Sequence, residues 1–207
     1  NSKHLVYSIF EANDEFVFYK DQKLRVYEKT GKYYLSYNAE RIAWKSKMPG
    51  GILININGKK SDVYDDIKIL GFWYNAELLY CRKNGNYWEI YKGDELISDT
   101  YSNISEVAIN LKGNVAAALC TETSGLKVGI LISDEYYEPL IGNRYEQAYN
   151  LVLHPTDPML AYNAVLSGQE LVVFNTIEYR GGSEATGIPE FTYDGSELFF
   201  MGCNIHC

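Results

Sequence analysis

Long apolar runs, cysteine and positive charge are all scarce in this sequence, and each scarcity removes a class of answer. No stretch approaches the roughly 18 consecutive apolar residues that a membrane-spanning helix needs. Four cysteines in 207 residues fall well below the density of a disulfide-built scaffold. Cys81 and Cys120 sit inside the apolar runs Leu78-Leu79-Tyr80-Cys81 and Ala116-Ala117-Ala118-Leu119-Cys120, where each reads as a small buried hydrophobe. Lys and Arg number 19 against 27 Asp and Glu, a formal net charge of −8. That balance argues against a nucleic-acid backbone or an anionic membrane as partner, because both call for a basic patch. A cationic partner is allowed. Helical patterning is missing too, since turn residues interrupt the chain before three helical turns can build. The chain starts at Asn1 without a signal-peptide h-region, so a mature or trimmed form is expected, with any targeting segment lying outside this sequence.

What is abundant is tyrosine, at 19 copies, with 8 Phe and 3 Trp beside it. Aromatic and β-branched side chains suit a pleated, half-buried surface, so strands are expected throughout. They come at the short, regular spacing of an all-β protein. Asp62–Ile67 and Ile69–Tyr74 read as two of them. Tyr64-Asp65-Asp66-Ile67, Tyr101-Ser102-Asn103-Ile104 and Tyr145-Glu146-Gln147-Ala148 recur at intervals of 37 and 44 residues. A recurrence on that scale marks a repeat architecture. A hairpin of one form, apolar strand, polar turn, apolar strand, occurs six times, with turns at 11–14, 39–40, 75–76, 112–114, 155–158 and 194–195. A small sheet cannot bury both faces alone, so such units pack radially or stack. A β-solenoid would want shorter, more uniform rungs, and a sandwich would not repeat the hairpin and the Tyr motif. The expectation is a single all-β domain over 1–207, a β-propeller of five or six short blades. Six is preferred because the hairpin occurs six times. The last unit has only two evident strands, so the N-terminal residues are expected to complete it and close the ring.

The hairpins resemble the WD40-like repeats of the bacterial TolB-type β-propellers. Phe191-Thr192-Tyr193-Asp194-Gly195-Ser196-Glu197-Leu198-Phe199-Phe200 carries the likeness best. Leu153-His154-Pro155-Thr156-Asp157-Pro158-Met159-Leu160-Ala161-Tyr162 follows, and Asn110-Leu111-Lys112-Gly113 matches in part. The first three hairpins lack the Asp-Gly pair, so the likeness is clearest over about 68–203. It implies a fold and no activity, and it implies an extracytoplasmic setting.

Chemistry has few footholds. Asp66, Asn103 and Gln147 precede equivalent first strands and are expected at a channel mouth, where they either hold a cation, waters or a peptide or merely cap strand ends. Cys203, His206 and Cys207 form the one local cluster with ligand chemistry. It lacks the paired spacing of zinc sites, and the competing readings are a frayed C-terminus or a Cys203–Cys207 disulfide in an oxidising compartment. No cofactor is expected beyond a divalent cation at one of these places. His4 and His154 have no nucleophile or carboxylate at a catalytic spacing, and His154, before Pro155, reads as an exposed turn residue. Trp44, Trp73 and Trp88 are either sugar platforms or blade packing. Gly181-Gly182 lacks the strand-to-helix context of a phosphate loop. The expected function is a non-enzymatic scaffold presenting an acidic, Tyr-rich surface to a protein partner. The alternative is a carbohydrate-active or metal-dependent enzyme, or a lectin-like module, using the channel.

Overall fold

A computed structural model describes residues 6–12, 14–26, 28–136, 138–180, 187–200 and 203–206, with 29–30 and 203–206 described by their backbone alone. Among the described residues there is no helix, and six antiparallel sheets follow one another along the chain. The first holds β1 (Val6–Glu11), β2 (Asp14–Tyr19) and β3 (Gln22–Val26). The second holds β4 (Lys29–Leu35), β5 (Ile42–Met48), β6 (Gly51–Ile56) and β7 (Lys59–Lys60). The third comprises β8 (Asp66–Phe72), β9 (Leu78–Asn84), β10 (Tyr87–Lys92) and β11 (Glu95–Leu96). The fourth comprises β12 (Asn103–Ile109), β13 (Val115–Thr121), β14 (Lys127–Ser133) and β15 (Leu140–Tyr145). β16 (Gln147–Leu153), β17 (Leu160–Leu166), β18 (Gln169–Phe174) and β19 (Ile177–Arg180) make the fifth. β20 (Glu190–Phe191), β21 (Glu197–Phe200) and β22 (Cys203–His206) make the sixth. Each sheet is a meander in which every strand pairs with its sequence neighbour.

The sheets bury their faces against each other. Five apolar clusters fill the spaces between successive sheets: one between the first and second, around Val17 and Trp44, and so on to one between the fifth and sixth, around Phe174 and Leu198. β13 shows how one strand serves two neighbours. Ala116, Ala118 and Cys120 face the third sheet, while Val115, Ala117 and Leu119 face the fifth. The period of two along a strand sends alternate side chains to opposite faces. The small alanines let both neighbours approach closely. The thiols of Cys81 and Cys120 are buried and free, as their apolar runs suggested. Burial pushes Cys81 up to about 12. The three indoles are buried as well, so they pack sheets together and offer no platform to a sugar.

The first strands of the second to sixth sheets pack in succession, and four of them, β4, β8, β12 and β16, carry a register shift. Long charged side chains tie these irregular strands to the preceding sheet. Lys45 Nζ donates to Ile67 O at 2.8 Å, and Lys68 Nζ donates to Ile104 O. The Glu106 carboxylate accepts from the amides of Asn150 and Leu151 at 3.0 and 2.8 Å. A bulge leaves backbone groups without a ladder partner, and in β12 and β16 the preceding sheet supplies one.

Three expectations change. The two strands expected over 62–74 are a single one, β8 (Asp66–Phe72), because 62–65 instead make the passage between sheets, with Tyr64 bridging to Ile52. The outer strands β7, β15 and β19 had no counterpart in the sequence pattern. Ring closure is not observed among the described residues: β1 pairs with β2, β22 pairs with β21, and no apolar cluster joins the sixth sheet to the first.

Candidate functional site

Asp66, Asn103 and Gln147 occupy the same place in successive sheets, as the first residues of β8, β12 and β16. No hydrogen bond joins them among the described residues. Asp66 Oδ1 accepts from the adjacent Ile67 amide at 2.7 Å, and Asn103 and Gln147 are exposed. The residues just before them secure the turns of their own sheets. Asp65 Oδ2 accepts from Gly85 N at 2.6 Å. The Glu146 carboxylate accepts from Ser167 N and Gly168 N at 3.1 and 3.4 Å. Ser102 Oγ donates to the carbonyls of Thr121 and Glu122. The recurring Tyr marks the passage from one sheet to the next: Tyr101 bridges back to Trp88, and Tyr145 closes β15 and is fully buried. The Cys203–His206–Cys207 cluster lies outside the residues whose side chains are described.

The opposite ends of the same strands hold what the sequence reading missed. In five sheets the turn between first and second strands opens with Ser36, Trp73, Asn110, His154 or Thr192, whose amide bonds across the turn. Four of these side chains then point back and cap the turn. Ser36 Oγ accepts from Glu40 N and Arg41 N. Asn110 Oδ1 accepts from Asn114 N and Val115 N, and Thr192 Oγ1 accepts from Glu197 N. His154 Nδ1 accepts from Thr156 N and Asp157 N at 3.2 and 2.8 Å. With the opening residue turned inward, the next one faces out. These are Tyr37, Tyr74, Leu111 and Tyr193, with the half-buried Pro155 in the fifth sheet, and Tyr37, Leu111 and Tyr193 are 83%, 80% and 94% exposed.

Neighbouring tips are tied in two runs, the second to the fourth sheet and the fifth to the sixth. Tyr19 donates through its hydroxyl to Ala39 O, and Arg41 Nη1 donates to Ala76 O at 3.1 Å. Tyr74 N donates to Gly113 O at 2.7 Å. His154 Nε2 donates to Gly195 O at 2.9 Å. Since His154 Nδ1 is an acceptor, the proton of the neutral ring sits on Nε2. His154 is therefore buried, at 2% exposure, and not an exposed turn residue. Its ring packs edge-on against Phe191 and links the fifth sheet to the sixth. The acceptors Ala39, Ala76, Gly113 and Gly195 all have positive φ, and each accepts from the preceding sheet.

Between the last three tips lies an open groove of about 600 Å³, lined by Leu111, Val152, Leu153, Pro155, Phe191 and Tyr193. Its surroundings are acidic. Glu40, Asp157 and Asp194 stand exposed in the turns, and Glu135 lies beside Tyr74 and Lys112 in a second groove. Asp134 is partly buried there, which raises its pKa, but hydrogen bonds from Trp73 Nε1 and Lys92 Nζ outweigh this and hold it below the usual carboxylate range. The Thr192 hydroxyl and the Ser196 amide and hydroxyl lower Asp194 to about 2. Both carboxylates are thus charged at neutral pH. Among the described residues no group of three His, Cys, Asp or Glu is placed to hold a metal ion.

No family model matches the chain, and no curated protein matches it by sequence. Solved structures do match by shape. TolB from Acinetobacter baumannii superposes with a TM-score of 0.52 at 12% identity, over 84% of this chain and 49% of that one. A eukaryotic initiation factor superposes at 0.55 and 10% identity, over 94% and 57%. A prolyl endopeptidase superposes at 0.52 and 8% identity, over 95% and 39%. The fold is that of a β-propeller. At these identities the likeness extends to the fold alone, and the chain spans roughly half the length of the TolB structure it matches. In this propeller-type fold the two candidate surfaces lie at opposite ends of the sheets. One is at the starts of the first strands, where polar residues mostly serve the turns. The other is at the hairpin tips, where large apolar groups meet solvent.

Proposed function

We propose that the protein is a non-enzymatic β-propeller of six blades, one per sheet, that offers its hairpin-tip face to a protein partner with a basic surface. The observation that carries this reading is the outward set of Tyr37, Tyr74, Leu111 and Tyr193 on one face, with the turns of the first three linked in series. Exposed apolar groups gathered on one face of a soluble fold mark interaction surfaces. Tyr suits the role because it joins apolar area to a hydroxyl at low conformational cost. The acidic turns and the net charge of −8 favour a cationic counterpart. An extracytoplasmic setting, implied by the TolB resemblance, belongs to the same reading.

The test is affinity capture from the native cell with two baits in parallel. One is the wild-type protein and the other replaces Tyr37, Tyr74, Leu111 and Tyr193 by Ser. These side chains are exposed, so circular dichroism should match between the two. A partner held by the wild type should be lost from the substituted bait. It should be kept by a third bait in which Asp66, Asn103 and Gln147 are Ala. Loss from the third bait with retention by the second would move the interaction to the strand-start end and overturn the proposal.

A further inference from the structure

Away from the tip face, a third groove runs along the outer rim between the third and fourth sheets. One wall is β11 with the residues that follow it to Asp99. The other is Glu138, Pro139 and Ile141, at the start of β15. β11 and β15 are the outermost strands of their sheets, so each presents a backbone edge that no strand of its own sheet covers. The groove encloses about 470 Å³. Its apolar surface comes from Leu96, Ile97, Pro139 and Ile141, and Leu96 and Ile141 remain 48% and 47% exposed. Glu95, Asp99 and Glu138 stand exposed around it, and no Lys or Arg lines it. None of these three carboxylates makes an ion pair among the described residues.

The contrast with the outer strands of the first, second and fifth sheets sharpens the point. An open sheet edge invites another strand, and charged side chains, lysine above all, are the usual protection. β7 is Lys59-Lys60, β3 carries Lys23 and Arg25, and β19 carries Arg180. β11 is Glu95-Leu96, with no cation, and the one cation of β15, Arg144, pairs with Glu122 and does not line the groove. A free edge beside an apolar groove with unpaired carboxylates is complementary to one kind of guest.

We propose that this rim groove binds an extended polypeptide segment in which aliphatic residues alternate with Lys or Arg. An added strand sends alternate side chains to opposite sides. The aliphatic set covers Leu96, Ile97, Pro139 and Ile141 while the cationic set meets Glu95, Asp99 and Glu138. The site is separate from the tip face and does not depend on the reading given for it.

The probe is a fluorescein-labelled hexapeptide of alternating Val and Lys, with a Val and Glu hexapeptide as its counterpart. Fluorescence anisotropy reads affinity, and amide NMR shifts read location. The Lys peptide should bind saturably and move the amides of 95–99 and 138–141. Binding should weaken as salt rises. The Glu peptide should not bind. The triple substitution Glu95→Gln, Asp99→Asn, Glu138→Gln changes only exposed groups and should cost about tenfold or more in affinity. Leu96→Ser should weaken binding with the carboxylates intact, and the fourfold tip substitution should leave it unchanged. Absence of saturable binding by the Lys peptide, equal binding of the two peptides, an unaffected triple variant, or shifts centred on the tip face would each overturn the proposal.

Discussion

Gly129 offers the sharpest check on how the fourth and fifth sheets meet. It lies mid-strand in β14, and the ring of Tyr162 from β17 presses onto it. A Cβ at Gly129 would sit 2.6 Å from Tyr162 Cε1 and 2.9 Å from Cζ. On the adjacent strand, Gly142 leaves room for the same ring, since a Cβ there would lie 3.1 Å from the hydroxyl oxygen. Tyr162 has no exposed surface to retreat into and packs edge-on against Tyr145 at 6.0 Å. Gly129→Ala therefore forces one side chain or the strand to shift, at about 1–3 kcal/mol for overpacking of this kind. For a chain of this size each kcal/mol lowers the melting temperature by roughly 2–4 °C. Urea unfolding followed by circular dichroism measures the loss. The decisive comparison is a double-mutant cycle with Tyr162→Leu. That substitution alone opens a cavity and destabilises. Combined with Gly129→Ala it should cost less than the sum, with a coupling on the order of 1 kcal/mol. Strict additivity, or a neutral Gly129→Ala, would refute the packing argument.

Two further outcomes follow from the tips. His154→Ala removes the acceptor of two backbone amides and the donor to Gly195 O. The expected loss is about 1–3 kcal/mol, and hydrogen exchange should rise in β20 and β21 ahead of β9 and β13. Equal protection in all four strands would contradict the role of His154 as the tie to the sixth sheet. Asp194 should titrate near 2 by carboxyl NMR, against about 3.9 for an unperturbed Asp. Its folded-state value is depressed, so its contribution to stability is present above the unfolded value and is lost as pH falls toward 2. Thr192→Ala should move the titration upward, and an unchanged value would show that the Thr192 hydroxyl is not its partner.

The parts of the fold that were legible in the sequence are those whose burial is written locally. β9, β13 and β17 are apolar runs bounded by turn residues, and the Tyr-x-x repeat locates the starts of β8, β12 and β16. The outer strands β7, β15 and β19 were illegible because they are short or exposed on both faces, so no alternation marks them. The tip face was half legible. Its turns could be placed, but the outward aim of Tyr37 or Tyr193 depends on the preceding residue folding back onto its own turn. His154 was misread for a longer-range reason. Its ring is covered by Phe191 and bonded to Gly195, 41 residues away, and no local pattern announces a partner at that distance.

Since each apolar cluster among the described residues belongs to one pair of successive sheets, cooperativity here is nearest-neighbour in kind. Loosening one sheet deprives only those on either side of it, so a defect should travel stepwise along the series and not collapse the whole at once. The second to fifth sheets, each clasped from both sides, should outlast the first and the sixth. Such a gradient lets an outlying sheet open to meet a ligand while the middle of the molecule stays shut.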